Sequence, residues 1–316
     1  MLFVNFAARN SKLISMIVNN ITMKFVSLSF ALLLVTLVLV SCGKKMNNRT
    51  KEQNQKISEV YVTKNISPQS FINIFEVTGS EIEGRIAIKV SMENYGNNVI
   101  KSGCLTLLVK RVGGIIVEGS FPNDSLCNVF VNYWKSMQDS AALPVYKIDV
   151  LDQDAEMRIP VADTTVIKYN VVGSRLASYD SMISVSCFDE RRDSSFFGSL
   201  QNISFGLASR NGKTNLVSSI NQAKSEAVAA KSVHDYFMGG KRIVYIALLA
   251  KKGYGILSSL DPVALDQACI DIALGNVKKN KNISIIKSRY QFNSNVIEWA
   301  EKMALGSKEY TLVNID

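Results

Sequence analysis

The sequence predicts an α/β domain, a largely parallel mixed sheet flanked by helices in a single large domain. Three observations lead there. Short β-branched runs alternate with stretches of helical periodicity, which is the pattern of strands joined by crossover helices. Across 316 residues, 47% of the chain is apolar and 20% charged, enough to bury a full core. From about residue 59 to the C-terminus there is neither an internal repeat nor a clear second boundary.

The N-terminal 41 residues read separately. From Met23 the chain runs MKFVSLSFALLLVTLVLVSCGKK. A lysine precedes a mainly apolar run from Phe25 to Val40, which ends on Leu39-Val40-Ser41-Cys42. A spanning helix needs about 20 apolar residues; this run is shorter and ends in a small residue before cysteine, as a processed export signal does. The tetrapeptide resembles a bacterial lipobox, which implies cleavage before Cys42 and its lipidation. Residues 1–22 fit no part of such a signal, so translation is expected to start at Met23. The expected location is the bacterial cell envelope, with acyl chains on Cys42 holding an extracytoplasmic domain to membrane lipid. Residues 42–58, the lipidated cysteine and a polar stretch without hydrophobic period, read as a tether to the 59–316 domain.

Within the domain, GRIAIKVS (84–91), GIIVEG (114–119), YKIDVLD (146–152), SMISVS (181–186) and KRIVYIALL (241–249) read as strands. Ile100, Cys104, Leu107, Leu108 and Val112 fall on one face of a helix, as do Leu265, Ala268, Cys269 and Ile272. Gly239-Gly240 should end a helix spanning about 222–238. Asp261-Pro262 should start another, with Asp261 as the cap and proline in the first turn.

Charge excludes one class of partner. The formal charge is +9, falling to +6 once Arg9, Lys12 and Lys24 leave with the signal. Binding nucleic acid needs Lys and Arg gathered on one face with interleaved aromatics; here the basic residues are scattered, so no nucleic-acid partner is expected.

Chemistry-bearing residues are few. Apart from Cys42, the cysteines are Cys104, Cys127, Cys187 and Cys269, with no C-x-x-C spacing. Cys104 and Cys269 lie on apolar helix faces, where a thiol is usually a small buried hydrophobe. An exported domain could pair these four in three ways that the sequence does not separate. His234 is the sole histidine, and its helical position suits packing or surface better than catalysis. Gly206 to Thr214, GLASRNGKT, ends like a phosphate-binding loop but has five residues between its glycines where four are required, so a nucleotide site is rejected. Asp189, Glu190 and Asp193 with Arg191 and Arg192 read as a solvated mixed-charge loop.

Several segments together carry a family resemblance over nearly all of the chain from about Val60. They are GRIAIKVSMENYGNN, RVGGIIVEG, VVGSRLASYDSMISVS, NISFGLASRNGKT, AAKSVHDYFMGGKRIVYI, GILSSLDPVALDQACIDIA and AEKMALGSKEYTLVNID. In this order they resemble the domain of unknown function 362 family, often described as uncharacterised iron-sulfur centre proteins. The resemblance implies a strand running into His-Phe-Lys-Gly-His, a glycine-rich turn and Leu-Lys-Asn. Aligned without gaps, Cys187, Asp189, Arg191 and Gln201 stand where relatives place His, Lys, His and Lys. Phe188, Phe196, Gly198, Leu200 and Asn202 match. The family's Gly-Glu-Pro-Gly stretch is Met92-Glu93-Asn94-Tyr95, and its Val-Glu-Cys-Asn-Thr motif is Val117-Glu118-Gly119-Ser120-Phe121. Where relatives carry a Cys-Asp-Cys segment, Ala247 to Tyr254 has no cysteine.

Imidazoles and thiolates hold metals and iron-sulfur clusters, and lysines and histidines do acid-base work. Their replacement beside intact scaffold positions implies a retained fold with a discarded site. The expectation is therefore a degenerate, non-catalytic family member with a binding or assembly role and no cofactor, whose partner is an unknown protein or small molecule. The remnant pocket would be lined by Glu93, Asn97, Cys187, Gly198, Asn202, Asp261 and Asp266. Two alternatives stay open at this point. One is a redox or metal protein holding a 4Fe-4S cluster or a metal through substitutes such as Cys127, Cys187, Asp189 and Glu93. The other is a metal-free enzyme using Glu93, Asp261 or Asp266, although Asp261 reads more simply as a helix cap and Asp266 as a polar position on the same helix.

Overall fold

The computed structural model describes residues 57–79, 81–91, 102–121, 123–136, 147–190, 196–249, 255–275, 283–286 and 295–316. The expected export signal, Cys42 and nearly all of the tether lie outside these residues, as do Glu93 and Asn97. Ile57–Asp316 forms one compact unit. In chain order, its first half holds β1 (Ser58–Thr63), α1 (Pro68–Thr78), β2 (Ile86–Val90), α2 (Ser102–Val112), β3 (Ile115–Glu118), α3 (Asp124–Ser136), β4 (Ile148–Val150), β5 (Glu156–Ile159) and β6 (Asn170–Gly173). Then follow β7 (Ser181–Cys187), β8 (Asp189–Glu190), β9 (Phe196–Phe197), α4 (Ser199–Ile203), α5 (Arg210–Val217) and α6 (Gln222–Tyr236). The last elements are β10 (Ile243–Leu249), β11 (Gly255–Ser259), α7 (Pro262–Ala273), β12 (Ile283–Ile286), α8 (Asn295–Lys302) and β13 (Tyr310–Asn314). Among the described residues no helix is long and apolar enough to cross a membrane.

Nine strands form the main sheet in the order β12-β13-β1-β11-β10-β7-β2-β3-β4. Five neighbouring pairs are parallel: β13 with β1, β10 with β7, β7 with β2, β2 with β3, and β3 with β4. Strands β11 and β12 run against their neighbours. The five runs read as strands from sequence are β2, β3, β4, β7 and β10, and all lie in the parallel block. The inner ones, β2, β3, β7 and β10, are covered on both faces, as parallel strands between helical layers are. Every residue of β2, β7 and β10 is buried.

Side-chain alternation along these strands divides the apolar interior in two. Ile88, Ile183, Val244 and Ile246 pack against Phe71 and Ile74 of α1, Leu105 and Leu108 of α2, and Phe130 and Trp134 of α3. Ala87, Met182, Ile243 and Tyr245 pack on the opposite face against Leu200 of α4, Ala230 and Val233 of α6, Leu265 and Ala268 of α7, and Ile297 of α8. The result is a sheet between two helical layers.

Local signals acted as read, with one shift. Asp261 caps α7, accepting from the Val263 and Ala264 amides at 2.8 and 3.0 Å, with Pro262 in the first turn. Met238, Gly239 and Gly240 all take positive φ and end α6. At Gly240 a Cβ would sit 2.0 Å from the His234 ring, so glycine is required by space as well as by φ. In α2 the inward stripe is Leu105, Leu108 and Val109, with Val112 partly buried, whereas Leu107 is exposed. That i, i+3, i+4, i+7 row is rotated from the face expected through Cys104 and Leu107. Ser209 caps α5, accepting from the Gly212 amide at 3.1 Å, which puts Gly212 and Lys213 inside the helix and not in a phosphate-cradling loop. Among the described residues, Cys104, Cys127, Cys187 and Cys269 are not joined to one another by disulfides.

Candidate functional site

From β2 the chain moves one way along the sheet to β3 and β4, then returns to β7 on the other side of β2. The strand order therefore reverses between β2 and β7, and open α/β sheets hold ligands at the carboxyl ends of strands beside such a reversal. Lys89 and Ser184 face each other across this boundary in register. Both are buried, at 1% and 0% exposure.

Lys89 follows Ala87 on its face of β2, so its side chain enters the α4–α6–α7 side of the interior, where a charge must be paired. Its ammonium donates to Val90 O at 3.0 Å, to Glu118 Oε2 at 3.1 Å and to Asn202 Oδ1 at 3.2 Å. Glu118 Oε1 lies 3.0 Å from the same nitrogen and accepts from the Gly119 amide at 2.9 Å. Three donors meet three acceptors, leaving no ammonium hydrogen for an incoming ligand. Asn202 in turn donates from Nδ2 to Ser184 Oγ at 2.9 Å, with longer contacts of 3.4 Å to Lys89 O and Val185 O. Close packing leaves no gap beside this group: a Cβ on Gly206 would fall 2.2 Å from Asn202 O and 3.1 Å from Lys89 Cε.

A second polar group fixes the start of α4. Asp266, wholly buried on α7, accepts the Ser199 amide at 2.6 Å and the Leu200 amide at 2.9 Å. It thus acts as an N-cap supplied from another helix, satisfying two of the donors that a helix start leaves open. It is not the ordinary polar helix position expected from sequence. Burial pushes its carboxyl up to about 7, opposed by the two amides and by Ser199. Gly198 is held at this point by space alone: its backbone is extended, and a Cβ would meet the Asp266 carboxylate at 2.6 Å.

Gly198, Asn202 and Asp266 are therefore brought together around α4. Cys187, at 4% exposure, packs with Val185 and Leu248 on the α1–α3 side of the sheet, away from the Ser184 face. Asp261 is occupied elsewhere: besides capping α7 it accepts from Ser58 Oγ at 2.6 Å and the Ser307 amide at 2.9 Å. Sequence reading missed Lys89 and Ser184 and noted Glu118 only as part of a motif. The available signal was a lysine at an inward position of an otherwise apolar inner strand.

The remaining buried titratable groups are packing groups. His234 Nδ1 lies 3.1 Å from Tyr245 Oη, and burial lowers its pKa to about 4. Burial, with the Asp266 charge nearby, pushes the Cys269 thiol well above its usual range. Tyr310 donates to Asp271 at 3.0 Å, and burial and that carboxylate raise the phenol.

A family model described as Domain of unknown function (DUF362) matches residues 86–271, from the first residue of β2 into α7. The chain belongs to the DUF362 family. The matched span contains Lys89, Glu118, Ser184, Asn202 and Asp266. Among solved structures, a Thermotoga maritima protein determined as a structural-genomics target is similar at 10% identity and a TM-score of 0.41, over 67% of this chain and 59% of that one. This chain thus spans less than two thirds of that protein, and the likeness carries no functional argument. No curated protein matches the sequence.

The DUF362 resemblance implied an iron-sulfur cluster, and the described residues do not fit one. A cluster needs several thiolates converging on one volume. Here Cys269 is a neutral thiol inside α7, Cys187 lies on the opposite side of the sheet, and Cys104 and Cys127 sit on α2 and α3. Among the described residues no three His, Cys, Asp or Glu side chains gather in a way that could hold a metal.

Proposed function

We propose that this chain is an extracytoplasmic lipoprotein of the bacterial envelope, anchored to membrane lipid through Cys42, whose DUF362 domain serves in binding or assembly and not in catalysis at the sheet's reversal point. The observation that carries the reading is the saturation of Lys89 by Val90 O, Glu118 and Asn202. A lysine at this place in an α/β sheet would ordinarily be offered to a ligand; here its three hydrogens are spent on the protein. Asp261 and Asp266, the acids a metal-free enzyme would need, are both engaged in holding helix starts. Support also comes from the ungapped comparison with the family pattern, in which Cys187, Asp189, Arg191 and Gln201 replace its histidines and lysines.

Anchoring is tested by expressing the full chain and its Cys42→Ser variant in a bacterial host with a labelled fatty acid. The reading expects label and membrane partition in the native chain and loss of both in the variant. Equal partition of the two, without label, would rule out the lipid anchor.

A further inference from the structure

The contacts of Lys89 describe more than an ion pair. An amine, a carboxamide and a carboxylate are enclosed together at 1%, 0% and 4% exposure. Lys89 Nζ is 3.2 Å from Asn202 Oδ1 and 3.0 Å from Glu118 Oε1. These are the three groups required for amide exchange: a nucleophile, an acyl donor and a proton carrier. We infer that Lys89 and Asn202 become joined by an isopeptide bond, with Glu118 carrying the proton.

The step balances without any co-reactant. Glu118 takes a proton from the Lys89 ammonium, since only the neutral amine is a nucleophile. The amine nitrogen attacks Asn202 Cγ. The Nζ–Cγ bond forms, the proton held by Glu118 passes to Nδ2, the Cγ–Nδ2 bond breaks, and the second proton that Nζ sheds in becoming an amide passes through Glu118 to the released ammonia. The net loss is one ammonium ion, with nothing oxidised or reduced and Glu118 restored as a carboxylate. Three features of the site favour it. The reacting groups are held in contact by the fold, which supplies the entropic part of an otherwise slow reaction. Glu118 Oε1, 3.0 Å from Nζ, stands in direct reach of the proton that must move. Nδ2, the leaving nitrogen, is already oriented by Ser184 Oγ at 2.9 Å. The product ties β2 to α4 across the reversal of the sheet, linking positions 113 residues apart in sequence, and it uses no residue beyond those already in contact.

The test is peptide mapping of the full native chain, purified, denatured and digested with trypsin. The expected product is a branched peptide joining residues 86–101 to residues 193–210, short of their summed mass by one ammonia and uncut after Lys89. Recovery instead of the linear peptide ending at Lys89, together with an unmodified 193–210 peptide, overturns the inference. So does an ammonia loss confined to one linear peptide, such as a cyclic imide at Asn202 within 193–210, with the chain cut after Lys89 as usual. In Glu118→Gln, with folding checked by circular dichroism, the branched peptide is expected to disappear and the linear pair to return; an undiminished branched peptide overturns the role given to Glu118. Should the variant not fold, the digest of the native chain decides the bond by itself.

Discussion

Asn202 Oδ1 accepts from Lys89 Nζ at 3.2 Å while Asn202 Nδ2 donates to Ser184 Oγ at 2.9 Å, so one side chain of α4 is shared by β2 and β7, the two strands between which the sheet reverses. A buried amide engaged on both sides rigidifies such a junction only while all its partners are present. Asn202→Ala leaves the Lys89 ammonium short of an acceptor and Ser184 Oγ without its donor. The expected loss is about 2–4 kcal/mol of unfolding free energy, measured as a lowered urea midpoint at unchanged slope.

Removing one member of a buried pair is worse than removing both. Glu118→Leu strands the Lys89 ammonium and should cost about 3–5 kcal/mol. The double variant Lys89→Met with Glu118→Leu should recover at least half of that cost, because no charge remains to be paired. A double-mutant cycle on unfolding free energies reads this coupling directly, and strict additivity of the two single changes would contradict it.

Gly198 is expected to resist even the smallest side chain. In Gly198→Ala the new methyl meets the Asp266 carboxylate, whose atoms lie within 2.7 Å of where the added Cβ would sit, and pushes it off the start of α4. Overpacking of this kind costs about 1–3 kcal/mol. The effect should vanish in an Asp266→Ala background, where the obstacle is gone and the cap already lost.

Two buried groups set opposite pH dependences. His234 falls from 6.5 to about 4 on folding, so its neutral form supports the fold fully above pH 6.5 and that support is lost as pH falls toward 4. Between pH 7 and 5 the loss is about 2 kcal/mol, and His234→Gln should not show it. Asp266 rises from 3.8 to about 7, so its protonated form stabilises the fold below pH 4 and that contribution disappears as pH rises through 7. Relative to Asp266→Asn, the native chain should gain about 2–3 kcal/mol between pH 8 and 5. Denaturant unfolding of the three proteins at those pH values separates the two effects.

The parallel block of the sheet was legible because its strands are short β-branched runs between helical patterns. The caps at Asp261 and the stop at Gly239-Gly240 were legible because capping is a local interaction. Pairing of β1 with β13 was not, since it joins Ser58 to Tyr310 across almost the whole domain and leaves no local trace. The site was read only in part for the same reason. Gly198, Asn202 and Asp266 are each legible as individual residues, but their meeting at α4 depends on how α7 packs. Cys187 and Asp261 were grouped with them, whereas alternation along β7 turns Cys187 to the other face and Ser58 and Ser307 hold Asp261 at the start of α7. Lys89 could have been found from sequence: a charge on an inner parallel strand must have buried partners.

The central claim is that the reversal point of this DUF362 sheet is occupied by the protein's own polar groups and does not hold a metal or cluster. The most direct measurement is anaerobic purification of the chain followed by its visible absorption spectrum and elemental metal content. The account expects a folded protein with neither a sulfur-to-iron charge-transfer band nor stoichiometric metal. Stoichiometric iron with such a band would contradict it.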